Sequence, residues 1–207
     1  MGRSQKIRCY IVLMGFVFMQ IISCSSSPKL QPVPASGVVL AFGDSLTYGT
    51  GADSGQSYPA KLEKMIGRRV VNSGVPGEIT AEGLERFAGV IEKEKPALVI
   101  LCHGGNDLLR QMDQRQTAEN LRKMIRLAKE SDAAVVMIAV PALGLSLTPP
   151  PFYAEIAKEA AVPIELKVLG KILGKTSLKS DYIHPNAAGY GQLAESMAEL
   201  LKKSGAI

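Results

Sequence analysis

The sequence has no tryptophan, two histidines and three cysteines in 207 residues. Each shortage removes a class of function. Aromatic residues make up only 5% of the chain, too few for a surface that stacks nucleic-acid bases. Three scattered cysteines cannot form a disulfide scaffold. No Cys/His cluster has metal-ligand spacing, so neither a metal nor a cofactor is expected. Tyr10 to Ile22, an apolar run of 13 residues, is short of the ~20 needed to cross a bilayer. What remains is a foldable composition. Hydrophobic residues are 46% and charged residues 21%, which supports a packed core and excludes wholesale disorder.

The first residues read as an export signal. Arg3, Lys6 and Arg8 precede the apolar run, and Ser23, Cys24 and three serines follow it. That layout predicts a signal peptide over residues 1–23. Ile21-Ile22-Ser23-Cys24 resembles a bacterial lipobox, with Ile21 where leucine is commoner. Cys24 is then the expected lipidation site, and the membrane the expected partner. Several acyl chains, each burying roughly 0.8 kcal/mol per CH₂, hold a protein stably on a bilayer. The expected location is the cell envelope. Ser25 after the cysteine implies the outer membrane, facing the periplasm, in a Gram-negative host. Residues 24–37 read as the lipidated cysteine and a flexible linker, extended by Pro28, Pro32 and Pro34 at about 3.1 Å per residue. Residues 38–207 form the expected domain. The net charge of +5 falls to +2 once Arg3, Lys6 and Arg8 are removed. The case for a nucleic-acid partner goes with them.

Apolar runs and helical periodicity alternate along the body. Val38–Phe42, Val70–Val71, Ala97–Cys102, Ala133–Val140 and Pro163–Leu166 read as strands. Pro59–Ile66, Thr80–Glu94, a segment capped by Thr117, Phe152–Ala161 and a last segment capped by Asn186 read as helices. This order predicts an α/β fold with a parallel sheet covered on both faces. Functional sites in such folds form at the carboxyl ends of strands.

The residues there suit nucleophilic catalysis. Gly43-Asp44-Ser45-Leu46 follows the first strand, and Asn72 to Glu78 follows the second. His103-Gly104-Gly105-Asn106-Asp107 follows the third, and Asp181-Tyr182-Ile183-His184 precedes the last helix. A serine hydroxyl needs a base, and the base needs a group to orient it. Ser45, His184 and Asp181 are the candidates in those roles. An oxyanion needs preorganised donors. The Ser45 and Gly77 backbone N–H groups and the Asn106 amide are candidates.

These four blocks resemble the SGNH-hydrolase, or GDSL esterase and lipase, family over roughly Val38 to Ser204. The resemblance is strongest to bacterial enzymes described as thioesterase I, arylesterase and lysophospholipase. It implies a three-layer α/β/α sandwich of flavodoxin-like type, with a parallel sheet of about five strands. It implies a serine esterase that acts on a small-molecule or lipid ester as a monomer, with Gly77 rather than Gly74 as the oxyanion glycine. Glu78 stands where that branch often has Asp, and Ile79 where it often has Thr. Both departures are expected to affect packing more than chemistry. Leu143–Pro151 and Val168–Ser180 align poorly, and both are expected to border the substrate pocket.

Other residues admit blander readings. His103 is a rival base but has no carboxylate at short spacing, so a supporting or packing role is expected. Asp44 and Asp107 are expected to hold loops through backbone hydrogen bonds. Cys102 reads as a core thiol. Gly170–Thr176 resembles a phosphate loop but is one residue short. The alternative functions are a carbohydrate or cell-wall acetylesterase and a non-catalytic envelope lipoprotein.

Overall fold

The structure, a computed structural model, describes residues 28–144 and 146–207. Five parallel strands form one sheet: β1 (Val39–Gly43), β2 (Val70–Gly74), β3 (Leu98–Cys102), β4 (Ala134–Ile138) and β5 (Ile164–Glu165). Their order is β2-β1-β3-β4-β5. Every residue of β1 and β3 is buried, because helices cover both faces. That burial explains why these strands read as unbroken apolar runs rather than alternating ones. β2 lies at the sheet edge and carries Asn72 and Ser73, so only Val70 and Val71 signal it in the sequence.

Among the described residues eight helices accompany the sheet: α1 (Ser45–Tyr48), α2 (Tyr58–Ile66), α3 (Thr80–Glu94), α4 (Gly105–Leu109), α5 (Gln114–Glu130), α6 (Phe152–Glu159), α7 (Val168–Leu173) and α8 (Ala187–Ser204). α2 packs on α8, while α5 packs on both α3 and α6. Right-handed crossovers place these two groups on opposite faces of the sheet. The architecture is the expected three-layer α/β/α sandwich. In register, Gly43 of β1 lies between Gly74 of β2 and Cys102 of β3. Three strands therefore end side by side, and the loops that follow them meet at one edge.

Some local readings change. Thr117 does not cap α5. Asp113 does, its carboxylate accepting from the Arg115 N–H. Thr117 sits one turn inside the helix, and its buried hydroxyl donates to Asp107. α5 begins with the polar turn Gln114-Arg115-Gln116, so the apolar stripe starts after the helix does. Asn186 does cap α8, accepting from the Ala188 and Gly189 N–H groups. Gly170–Thr176 spans the second half of α7 and the start of a 3-10 turn (Thr176–Leu178), not the strand-to-helix loop of a phosphate site.

The proline-bearing segment is not free along its whole length. Val33 is 4% exposed and packs into the core. The Leu30 and Val33 N–H groups donate to the carbonyls of Ser204 and Ala206, and Arg68 Nε donates to the Val33 carbonyl. The flexible-linker reading therefore fails from Leu30 onward. Extended backbone leaves N–H and carbonyl groups unpaired, and here the end of α8 satisfies two of them. Cys9, Cys24 and the segment read as a signal peptide, residues 1–23, lie outside the described residues.

Candidate active site

α1 begins directly after β1. Asp44 caps it, its carboxylate accepting from the Leu46 N–H at 3.0 Å. Asp44 is buried, and burial pushes its carboxyl pKa up. The cap turns the chain sharply, so Ser45 sits at the first helical position, half-exposed at the strand edge. The first N–H groups of a helix have no intrahelical acceptor. Among the described residues the Ser45 N–H has no hydrogen-bond acceptor.

His184 reaches this position from the loop before α8. Its Nε2 lies 3.0 Å from Ser45 Oγ, and its Nδ1 lies 2.8 Å from Asp181 Oδ2. The second Asp181 oxygen accepts from the Ile183 and His184 N–H groups, both at 2.8 Å. Burial alone would raise Asp181. Hydrogen bonds from the His184 ring and from these two N–H groups hold its carboxyl below its ordinary value. An ionised Asp181 accepts the Nδ1 proton, which leaves the Nε2 lone pair facing the Ser45 hydroxyl. The loop itself is fastened at its base. The Ser180 N–H donates to the His184 carbonyl, and the Asn186 N–H donates to Leu178. The structure thus brings Ser45, His184 and Asp181 into one hydrogen-bonded chain.

Asn106 is the second residue of α4, and Ser45, Asn106 and His184 line one cleft. One Asn106 amide hydrogen donates to the Glu78 carbonyl at 2.9 Å. The other remains available. Gly77 does not line the cleft. It precedes Glu78 in a tight turn closed by the Glu78 N–H to the Val75 carbonyl. Its φ of +81° lies in the left-handed region that favours glycine. Among the described residues its N–H meets no hydrogen-bond acceptor. The cleft walls are apolar: Leu46, Leu109, Val140, Pro141, Leu143 and Ile183. Leu143 belongs to one of the poorly aligned stretches. Residues 168–180 contribute nothing to the lining. α7 turns away to pack on α8 through Leu169, Ile172 and Leu173.

The loop-holding aspartates behave as their residue type suggests. Asp107 accepts from the Thr80 N–H and hydroxyl and from the Thr117 hydroxyl, tying α4 to α3 and α5. Cys102 is buried in β3, and burial raises its thiol pKa well above the usual range. Glu78 differs from its sequence reading. It is a buried carboxylate that binds Arg86 and His103, not a packing variant. His103 could not be linked to it from sequence, because the two are 25 residues apart.

Residues 41–192 match the family model described as GDSL-like lipase/acylhydrolase. The chain belongs to that family. Membership makes it a hydrolase of ester bonds. This esterase is 33% identical to Esterase TesA of Pseudomonas aeruginosa over 197 residues, covering 86% of this chain and 94% of the relative. It is 29% identical to thioesterase 1/protease 1/lysophospholipase L1 of Escherichia coli K12, covering 81% and 85%. A crystal structure of TesA superposes on the esterase with a TM-score of 0.73 at 29% identity, covering 81% of this chain and 99% of that one.

Proposed function

We propose that the esterase cleaves acyl esters, such as lysophospholipids or aryl esters, through an acyl-enzyme on Ser45. The observation that carries this reading is the Ser45–His184–Asp181 hydrogen-bonded chain at the mouth of an apolar cleft. His184 Nε2 takes the Ser45 proton as Oγ attacks the ester carbonyl. The Ser45 and Gly77 N–H groups and the second Asn106 amide hydrogen stabilise the tetrahedral oxyanion. His184 then protonates the leaving alcohol or thiol. Water, activated by the same imidazole, releases the acid and restores Ser45. The step requires nothing beyond these side chains and water.

Aliphatic cleft walls favour an acyl chain over a sugar. A series of p-nitrophenyl esters of increasing chain length tests this. Rates are expected to rise from acetyl toward medium chains as apolar surface is buried against Leu109, Val140 and Leu143. Activity confined to the acetyl ester would favour the carbohydrate or cell-wall acetylesterase reading instead.

We further propose that Cys24 carries lipid and holds the esterase at the cell envelope. Export removes acyl-CoA from the physiological substrates, even where thioesters are cleaved in solution. The docked segment from Leu30 leaves the domain beside the end of α8, opposite the strand ends that bear Ser45. In cells fed labelled palmitate, the wild-type chain is expected to take up label and Cys24→Ala is not. Equal labelling of both would end this proposal.

A further inference from the structure

Glu78 and His103 are buried, and with the partly exposed Arg86 they form a polar cluster between the loops that follow β2 and β3. The Glu78 and His103 side chains are 5% and 0% exposed. Arg86 grips Glu78 with a two-pronged guanidinium, Nε to Oε1 at 2.6 Å and Nη2 to Oε2 at 2.7 Å. Arg86 is itself tied to the sheet. It donates to the Ser73 hydroxyl and carbonyl at the end of β2, and it lies 4.0 Å over the Phe42 ring of β1. His103 lies on the other side. Its Nδ1 accepts from the Gly104 N–H at 3.0 Å, so the ring proton sits on Nε2, which donates to Glu78 Oε2 at 3.1 Å. Gly83 of α3 leaves the space for this ring. A Cβ there would collide with Nε2.

Burying a carboxylate costs free energy that an apolar side chain of similar size would not. What the cluster provides is position. Glu78 follows Gly77 directly, and its carbonyl accepts from Asn106. His103 lies three residues before Asn106 and fixes the Gly104 N–H between them. Two separate loops, after β2 and after β3, thus meet at one carboxylate.

We propose that the Glu78–His103 hydrogen bond, braced by Arg86, is a positioning clamp that fixes the loops carrying the Gly77 and Asn106 donors relative to each other. This rests on the reading of those two groups as oxyanion donors. Glu78 and His103 touch no substrate and act through the loops. The longer Glu in place of Asp lets one carboxylate reach both Arg86 and His103.

The test is His103→Leu, which keeps bulk and loses both nitrogens, measured beside Asn106→Ala on a p-nitrophenyl ester. Displacing preorganised groups by a fraction of an ångström to 1 Å costs roughly 10- to 10²-fold. His103→Leu is expected to lose about that much in kcat, with KM within about threefold. His103→Gln, whose amide nitrogen overlies Nε2, is expected to stay within about threefold of wild type. If His103→Leu does not fold, Glu78→Gln probes the same cluster, since in either amide orientation an N–H faces a donor of Arg86 and the clamp is weakened. The His103→Leu/Glu78→Gln double variant is expected to lose less than the product of the two single losses, because both substitutions disturb the Glu78–His103 hydrogen bond. A lower melting temperature with unchanged kcat would overturn the clamp. If Asn106→Ala is itself mild, the oxyanion assignment falls first.

Discussion

Ser45→Ala is expected to lower kcat on a p-nitrophenyl acyl ester by on the order of 10⁶, as removal of the nucleophilic serine does in a serine protease. The magnitude follows from the division of labour in the site. Without Oγ there is no acyl-enzyme, and hydrolysis must proceed by direct attack of water. The oxyanion donors and the His184–Asp181 pair remain, so a residual rate above the uncatalysed one persists. The substitution removes one half-exposed hydroxyl at the first position of a four-residue helix. The Asp44 cap and the Ser45 backbone N–H stay in place. Folding should therefore be unaffected, with a melting temperature within a few degrees of wild type. Stopped activity with an intact fold separates a nucleophile from a structural serine. Activity within tenfold of wild type would remove Ser45 from the chemistry and revive a non-catalytic role for the fold.

Asn106→Ala is expected to lower kcat by about 10²–10³, as loss of one oxyanion donor does elsewhere, while KM changes little. The ground-state carbonyl gains little from this amide, and the tetrahedral oxyanion gains much more, so the loss appears in kcat. Part of the damage has a second source, because the same amide holds the Glu78 carbonyl at 2.9 Å. Asn106→Asp distinguishes the two. Its carboxylate keeps the shape but faces both the oxyanion and the Glu78 carbonyl with negative charge. It is expected to be at least as slow as alanine. An Asp variant faster than the Ala variant would mean that Asn106 matters for packing and not for charge.

The sheet was legible because its central strands are buried on both faces. Val39–Gly43 and Leu98–Cys102 are apolar throughout and bounded by glycine or turn residues, a signal that periodicity analysis detects readily. The short helices were not legible. α1, α4 and α7 span four to six residues, less than two turns, so no apolar period can build up. The proline-bearing segment shows a related limit. Pro28, Pro32 and Pro34 announce extended backbone, but only the partners at Ser204 and Ala206 reveal that it docks.

The candidate site was legible in its residue types and order along the chain. Ser45 and His184 are 139 residues apart, yet each falls at a strand or helix boundary that the alternating pattern marks. The layer beneath them was not legible. Glu78 reads as a conservative departure from Asp until the fold brings His103 and Arg86 to it. Side-chain reach across two loops leaves no trace in spacing or hydropathy.

The most direct measurement is treatment of the full-length protein with a fluorophosphonate, followed by intact mass and peptide mapping. Such a probe reacts with an activated serine and leaves a tetrahedral adduct that mimics the oxyanion intermediate. The predicted result is one adduct, carried by the peptide that contains Ser45. It should be absent from Ser45→Ala and form more slowly in Asn106→Ala. A protein that stays unlabelled, or one labelled on a different residue, would contradict the assignment of Ser45 as the nucleophile.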